Sequence, residues 1–142
     1  MDQFTPQNEA EMLALGARLG GALEAGDTVA LIGDLGAGKT TLARGLVQAV
    51  LPQEVVPSPT YTLVQAYDLP EFTLLHCDLY RLEHPDEAYE IGLIDAMGED
   101  VCLIEWPDRL GPHLPQDAMI IDIKFEGDGR VVSLRGWGNR HV

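Results

Sequence analysis

Thr28-Val29-Ala30-Leu31-Ile32-Gly33-Asp34-Leu35-Gly36-Ala37-Gly38-Lys39-Thr40-Thr41 is an apolar run that breaks into a glycine-rich loop and ends on a lysine and two threonines. The spacing Gly33-x-x-x-x-Gly38-Lys39-Thr40 is that of a phosphate-cradling loop. Glycines let successive backbone N–H groups turn inward around phosphate oxygens, and a helix starting behind them adds the positive end of its dipole. In such a loop the lysine reaches the β- and γ-phosphates and the following hydroxyl suits Mg²⁺. Asp34, Leu35, Gly36, Ala37, Gly38, Lys39, Thr40 and Thr41 are therefore the candidate nucleotide-binding residues.

Outward from this loop, the order is the one such a site needs. Residues 28–32 read as a buried strand, and residues 39–50 as a helix with Leu42, Ala43, Leu46, Val47 and Val50 on one face. Upstream, Thr5-Pro6 reads as the cap of a helix bearing Met12, Leu15, Leu19, Ala22 and Leu23, with Gly26 as its end. Downstream, Pro52, Pro57 and Pro59 hold an extended connection. Residues 61–67 and 72–77 read as strands about an Asp68-Leu69-Pro70-Glu71 turn. Pro85-Asp86-Glu87 opens a helix running to about Ile91, and residues 101–104 have the composition of a buried parallel strand. Residues 118–125 and 130–135 flank a Glu126-Gly127-Asp128-Gly129 turn, which predicts an antiparallel hairpin. The sum is an α/β fold of the P-loop NTPase kind: a mixed, mostly parallel central sheet flanked by helices, with a C-terminal antiparallel hairpin. One domain over residues 1–142 is expected, since the length suffices for one core and not for two.

Composition narrows the function. Twenty-three acidic residues against nine basic ones give a formal net charge of −14, a poor balance for gripping RNA or DNA unaided. Cys77 and Cys102 sit in apolar segments without metal-ligand spacing and read as reduced, buried thiols. His76, His84, His113 and His141 are scattered, so no metal cluster is expected. No apolar run approaches a membrane span and the first residues do not resemble a secretory leader, which predicts a cytoplasmic protein.

Two acids compete for the magnesium-side role. Asp78 follows the strand ending at Cys77, and Glu105 follows the strand ending at Ile104, so each has the apolar-strand-then-acid form of a Walker B motif. Either can hold the ion, directly or through water. Lys39, Asp78 and Glu105 are the catalytic candidates, and Thr40, Glu105 and Asp78 the metal-ligating ones. Ser58-Pro59-Thr60-Tyr61-Thr62 lies where nucleotide switches place a hydroxyl near the γ-phosphate, and Thr60 is the expected contact. The chain has no Asn-Lys-x-Asp for guanine, which leaves ATP as the expected nucleotide, with Mg²⁺. It also lacks an arginine-rich lid of the kind that small-molecule kinases close over their ligands.

Four segments agree in order with one family: residues 33–41, residues 58–64 (Ser-Pro-Thr-Tyr-Thr-Leu-Val), His76-Cys77-Asp78-Leu79-Tyr80-Arg81-Leu82, and Leu103-Ile104-Glu105-Trp106-Pro107. The chain closely resembles the TsaE (YjeE) family over about residues 5–125. That resemblance implies a weak Mg-ATPase acting with the TsaD and TsaB proteins in threonylcarbamoyl transfer to N6 of adenosine 37, in tRNAs reading ANN codons. It implies that tRNA is met only through those partners, in keeping with the acidity of this chain. It assigns phosphate and Mg²⁺ contacts to Lys39 and Thr40, a switch role to Thr60, and acids at Asp78 and Glu105, with Glu105 favoured on the metal side. Trp106 covers the nucleotide or partner site, or is a half-buried surface residue. Cys77 stands where the family carries an aromatic. A small-molecule kinase on the same fold is the alternative, and a nucleotide-gated binding module without need of hydrolysis is a third reading.

Overall fold

The computed structural model describes residues 3–34, 36–52, 64–138, 140 and 142. Its elements are β1 (Gln3–Phe4), α1 (Glu9–Gly21), β2 (Thr28–Gly33), α2 (Lys39–Gln48), β3 (Val64–Asp68) and β4 (Thr73–Asp78). Two short helices follow, α3 (Glu87–Glu90) and α4 (Leu93–Ala96), then β5 (Val101–Glu105), a kinked 3-10 stretch (Pro107–His113), β6 (Met119–Glu126) and β7 (Gly129–Arg135).

The strands form one sheet in the order β1-β7-β6-β2-β5-β4-β3. The four central strands, β6, β2, β5 and β4, are mutually parallel, while β3 and β7 run against them at either side. This is the mixed, mostly parallel sheet that the sequence predicts, hairpin included. All five residues of β5 are buried, as a central strand covered on both faces requires. On one face α1 and α2 pack over Val29, Leu31, Leu74, Leu103, Ile121 and Ile123. On the other, α3, α4 and the 3-10 stretch cover Cys77, Cys102 and Ile104 with Leu79, Leu93 and Leu110. Among the described residues no helix is long and apolar enough to cross a membrane.

Beside shifts of one or two residues at strand ends, four boundaries differ from the sequence reading. The helix expected to run to Val50 ends at Gln48, and Val50 lies exposed beyond it rather than on the buried face. Thr5-Pro6 does not cap α1: Gln3 and Phe4 pair with Ser133 and Val132, and the Pro6 carbonyl accepts from the Arg130 amide, so the chain is still leaving the sheet there. Asn8 is the cap, its side chain accepting the Glu11 amide at 2.9 Å. The helix ends at Gly21 rather than Gly26, which instead supplies the positive φ of a turn in which Asp27 accepts the Glu24 amide. The helix expected over residues 85–91 is the single turn α3, and past Gly92, which sits in the left-handed region, comes α4, a four-residue helix that the sequence reading did not include.

Both cysteines are buried free thiols. Burial raises both pKa values: that of Cys102 to about 12, with the Asp100 charge adding, and that of Cys77 further, with Cys102 and Glu105 adding. A thiol whose folded pKa lies above its unfolded value of about 8.5 contributes stability that is complete below that pH and lost as pH rises. The urea midpoint is therefore expected to hold from pH 7 to 8 and to fall above about pH 9. Iodoacetamide at pH 8 should label neither thiol in the native protein and both in urea; native labelling would show that the strands around them open.

Candidate functional site

β2 ends at Gly33 and the chain turns at once, the Ala37 amide donating to the Asp34 carbonyl at 3.0 Å. Gly36 (φ 80°) and Gly38 (φ 110°) take backbone conformations that side chains resist, and Gly38 is the residue from which α2 starts. At Gly38 a Cβ would also lie 3.0 Å from the Met12 methyl of α1. Lys39 is thus the first residue of α2, and Thr40 and Thr41 follow in its first turn, where the helix leaves its N–H groups unpaired. The loop lies at the carboxyl end of β2, beside those of β5 and β4, the crevice in which open α/β sheets bind ligands.

The acids come from the neighbouring strands. Asp78 and Glu105 are register partners at the ends of β4 and β5, and His76 is paired with Leu103 two residues earlier. Alternation along a strand puts all four side chains on the α1–α2 face, the face of Lys39. Glu105 is 4% exposed and Lys39 6%. The Glu105 carboxylate has a partner on each oxygen's side: Lys39 Nζ lies 3.8 Å from Oε1, and His76 Nε2 lies 2.6 Å from Oε2. His76 is fully buried, and its Nδ1 has no partner among the described residues, so a proton on Nε2 donated to Glu105 satisfies the contact. Asp78 stands outside this set, its Oδ1 accepting the Tyr80 amide at 3.0 Å.

Trp106 follows directly. Its φ of 58° is the one positive value at a non-glycine among the described residues, a strained conformation for a bulky side chain. In that conformation the half-buried indole carries Lys39 Nζ 4.3 Å from its centroid and packs against Tyr80, with ring centroids 4.9 Å apart. The lysine is held from two sides, by carboxylate and by ring.

A cavity of about 300 Å³ opens on one flank of the loop, lined by Pro6, Asn8, Gly38, Thr41, Arg44 and Arg130. Another of about 360 Å³ opens on the opposite flank, lined by Gly33, Asp34, Trp106, Asp108, Asp122 and Lys124. Among the described residues no three His, Cys, Asp or Glu side chains converge on a metal position. Mg²⁺ needs no such cage, because it is held by one or two carboxylates together with phosphate oxygens and water. Glu105, Asp78 and the Thr40 hydroxyl fit that donor set, and the glycine loop with its buried lysine fits a triphosphate.

The structure thus brings Lys39 and Glu105 into direct contact, with Thr40 next to Lys39 in the chain and Asp78 on the adjoining strand end. Leu35 and Thr60, the latter with the whole loop at residues 58–62, lie outside the described residues. Two residues of the site escaped the sequence reading. His76 carried a signal, since it shares the strand parity of Asp78 two residues on. Arg130 carried none locally: it reaches the loop from the far hairpin, donating through Nε to the Ala37 carbonyl at 3.1 Å and through a terminal nitrogen to the Gly36 carbonyl at 3.3 Å.

Comparison with known proteins agrees with this architecture. The family profile described as "Threonylcarbamoyl adenosine biosynthesis protein TsaE" matches residues 6–132. The chain is 39% identical over 140 residues to the tRNA threonylcarbamoyladenosine biosynthesis protein TsaE of Haemophilus influenzae, covering 94% of this chain and 88% of that one. It is 37% identical over 136 residues to the protein of the same name from Bacillus subtilis, covering 94% and 85%. The crystal structure of Bacillus subtilis YdiB superimposes with a TM-score of 0.77 at 30% identity, over 97% of this chain and 86% of that one. A profile match running through the loop, both strand-end acids and the start of β7, together with relatives matched over nearly their whole length, places this chain in the TsaE family.

Proposed function

We propose that this chain binds Mg-ATP at the loop of residues 33–41 and hydrolyses it slowly, in the cytoplasm, in support of threonylcarbamoyl transfer to N6 of adenosine 37 of tRNA by TsaD and TsaB proteins. The observation that carries the reading is a buried Lys39, at the first residue of α2, in contact with the buried Glu105 at the end of β5. Bound Mg²⁺ supplies charge neutralisation on the phosphate oxygens. The chain supplies the rest. Lys39 and the N–H groups at the start of α2 hold the β- and γ-phosphates; Thr40 and Glu105 hold the metal side; Asp78 polarises the attacking water or orients the metal's water shell. His76 fixes the rotamer of Glu105 by its hydrogen bond to Oε2.

With the γ-phosphate directed toward Lys39 and Glu105, the nucleoside leaves toward the cavity beside Thr41 and Arg44. The opposite cavity is where a kinase would seat its acceptor. Three carboxylates around it, Asp34, Asp108 and Asp122, against the single cation Lys124 disfavour a phosphorylated one, which supports water as the acceptor. The net charge of −14 supports docking on a protein complex that itself holds the tRNA.

Glu105→Gln is the decisive variant. It keeps the shape of the side chain and the bond to His76 while removing the carboxylate, and it should retain ATP binding within a few-fold. Hydrolysis, measured with TsaD and TsaB present, should fall by about 10²-fold or more, and multiple-turnover tRNA modification with it. Full modification by Glu105→Gln would make the chain a nucleotide-gated binding module. Transfer of the γ-phosphate to a metabolite would make it a kinase.

A further inference from the structure

Resting on the reading of residues 33–41 as a nucleotide loop, we infer that Arg130 is a positioning residue that shapes this loop from the β6–β7 hairpin, so that nucleotide affinity depends on a side chain outside the loop and its acids. A phosphate-binding loop works by turning N–H groups inward, which turns carbonyl oxygens outward. Outward carbonyls need partners of their own. For Gly36 and Ala37 that partner is one guanidinium: Nε of Arg130 donates to Ala37 at 3.1 Å, and one terminal nitrogen donates to Gly36 at 3.3 Å. The other terminal nitrogen donates to the Gly129 and Asp128 carbonyls of the hairpin turn, at 2.9 and 3.3 Å. The planar fork thereby ties the loop to the turn through four carbonyl oxygens.

The fork is itself fixed. Its central carbon lies 4.3 Å from the centroid of the Phe125 ring, and the Arg130 amide donates to the Pro6 carbonyl at 3.1 Å. The turn also lies close to the N-terminal segment: a Cβ on Gly129 would come 2.8 Å from the oxygen of the exposed Gln7 side chain, which would have to move aside. Arg130 also places a permanent positive charge beside the loop in a chain whose net charge is −14, and it lines the cavity at the Thr41 side. Lysine cannot replace it, because a single ammonium cannot span the loop and turn carbonyls in one plane.

The test uses the full chain with Arg130→Met, Arg130→Lys and, as a charge-matched control, Arg135→Met at the exposed end of the same strand. Titration with Mg-ADP should show affinity about tenfold or more weaker in Arg130→Met, weakened in Arg130→Lys as well, and unchanged in Arg135→Met. Hydrogen exchange of the ligand-free protein should show the Ala37 amide exchanging about tenfold or more faster in Arg130→Met, while the Leu103 amide of the central strand keeps its protection. Wild-type affinity in Arg130→Met, an equal loss in Arg135→Met, or an unchanged Ala37 exchange rate would each overturn the assignment. A wild-type chain that binds no Mg-ADP would sink the nucleotide reading itself, and the exchange rates would still decide whether Arg130 holds the loop.

Discussion

Lys39→Met is expected to remove nucleotide binding and, unlike a change at an exposed lysine, to destabilise the ligand-free protein. Lys39 and Glu105 are 6% and 4% exposed, so the carboxylate left behind cannot turn to water. Breaking a buried pair by removing one partner costs about 3–5 kcal/mol, much more than the pair contributes relative to a neutral substitute. The lower end of that range is expected, because His76 still donates to Oε2. Loss of the charged contacts to phosphate should weaken Mg-ADP binding by about 10²-fold or more. The double variant Lys39→Met/Glu105→Gln separates the two effects. It removes both charges, so urea unfolding should return to within about 1–2 kcal/mol of wild type while calorimetric titration still shows no binding. A single variant as stable as wild type would mean that the buried pair carries no weight. Recovery of binding in the double variant would mean that Lys39 does not hold the phosphates.

What was legible in the sequence was local. The loop's glycines, the lysine at the start of α2 and the apolar run of β5 each declare themselves within a dozen residues, because backbone conformation and strand burial are set at that range. Asp78 and Glu105 were legible as strand-end acids, one at a time. Their being side by side depends on the register of β4 against β5, which no local pattern encodes. The same register brings His76 to Glu105, so a histidine that looks scattered in the chain is a partner of the site. The N-terminus failed for a similar reason. Thr5-Pro6 and Asn8 are both acceptable caps, and the choice between them is made by the pairing of Gln3 and Phe4 with β7, some 130 residues away. Four-residue helices such as α4 carry too little periodicity to be seen at all. Trp106, left open between a cover and a surface residue, is both half-buried and in contact with Lys39, which depends on its left-handed backbone.

Gly45→Ala is expected to destabilise the fold and to move the site with it. Gly45 of α2 and Gly16 of α1 face each other's helix at backbone distance: a Cβ on Gly45 would lie 2.2 Å from the Leu13 carbonyl oxygen, and one on Gly16 would lie 2.2 Å from that of Leu42. Neither obstacle can rotate away, because each is main chain, so the helices must separate. Alanine gains about 1 kcal/mol of helix propensity over glycine, which sets the sum that the clash must exceed. Overpacking of this kind costs about 1–3 kcal/mol even where side chains can yield, and here only backbone can. A net loss of about 2 kcal/mol or more is therefore expected for Gly45→Ala and for Gly16→Ala, a fall in Tm of roughly 6–10 °C for a chain of this size. Gly21→Ala supplies the contrast within α1: nothing lies within 4 Å of a Cβ there, so the same substitution should stabilise by about 0.5 kcal/mol. Since α2 begins at Lys39, separating the two helices also shifts the lysine relative to Glu105 on the sheet. A displacement of about 1 Å is enough to lower hydrolysis by as much as 10²-fold in a protein that remains folded at 20 °C. Should Gly45→Ala raise Tm as Gly21→Ala does, the close approach of α1 to α2 would not be what seats the loop.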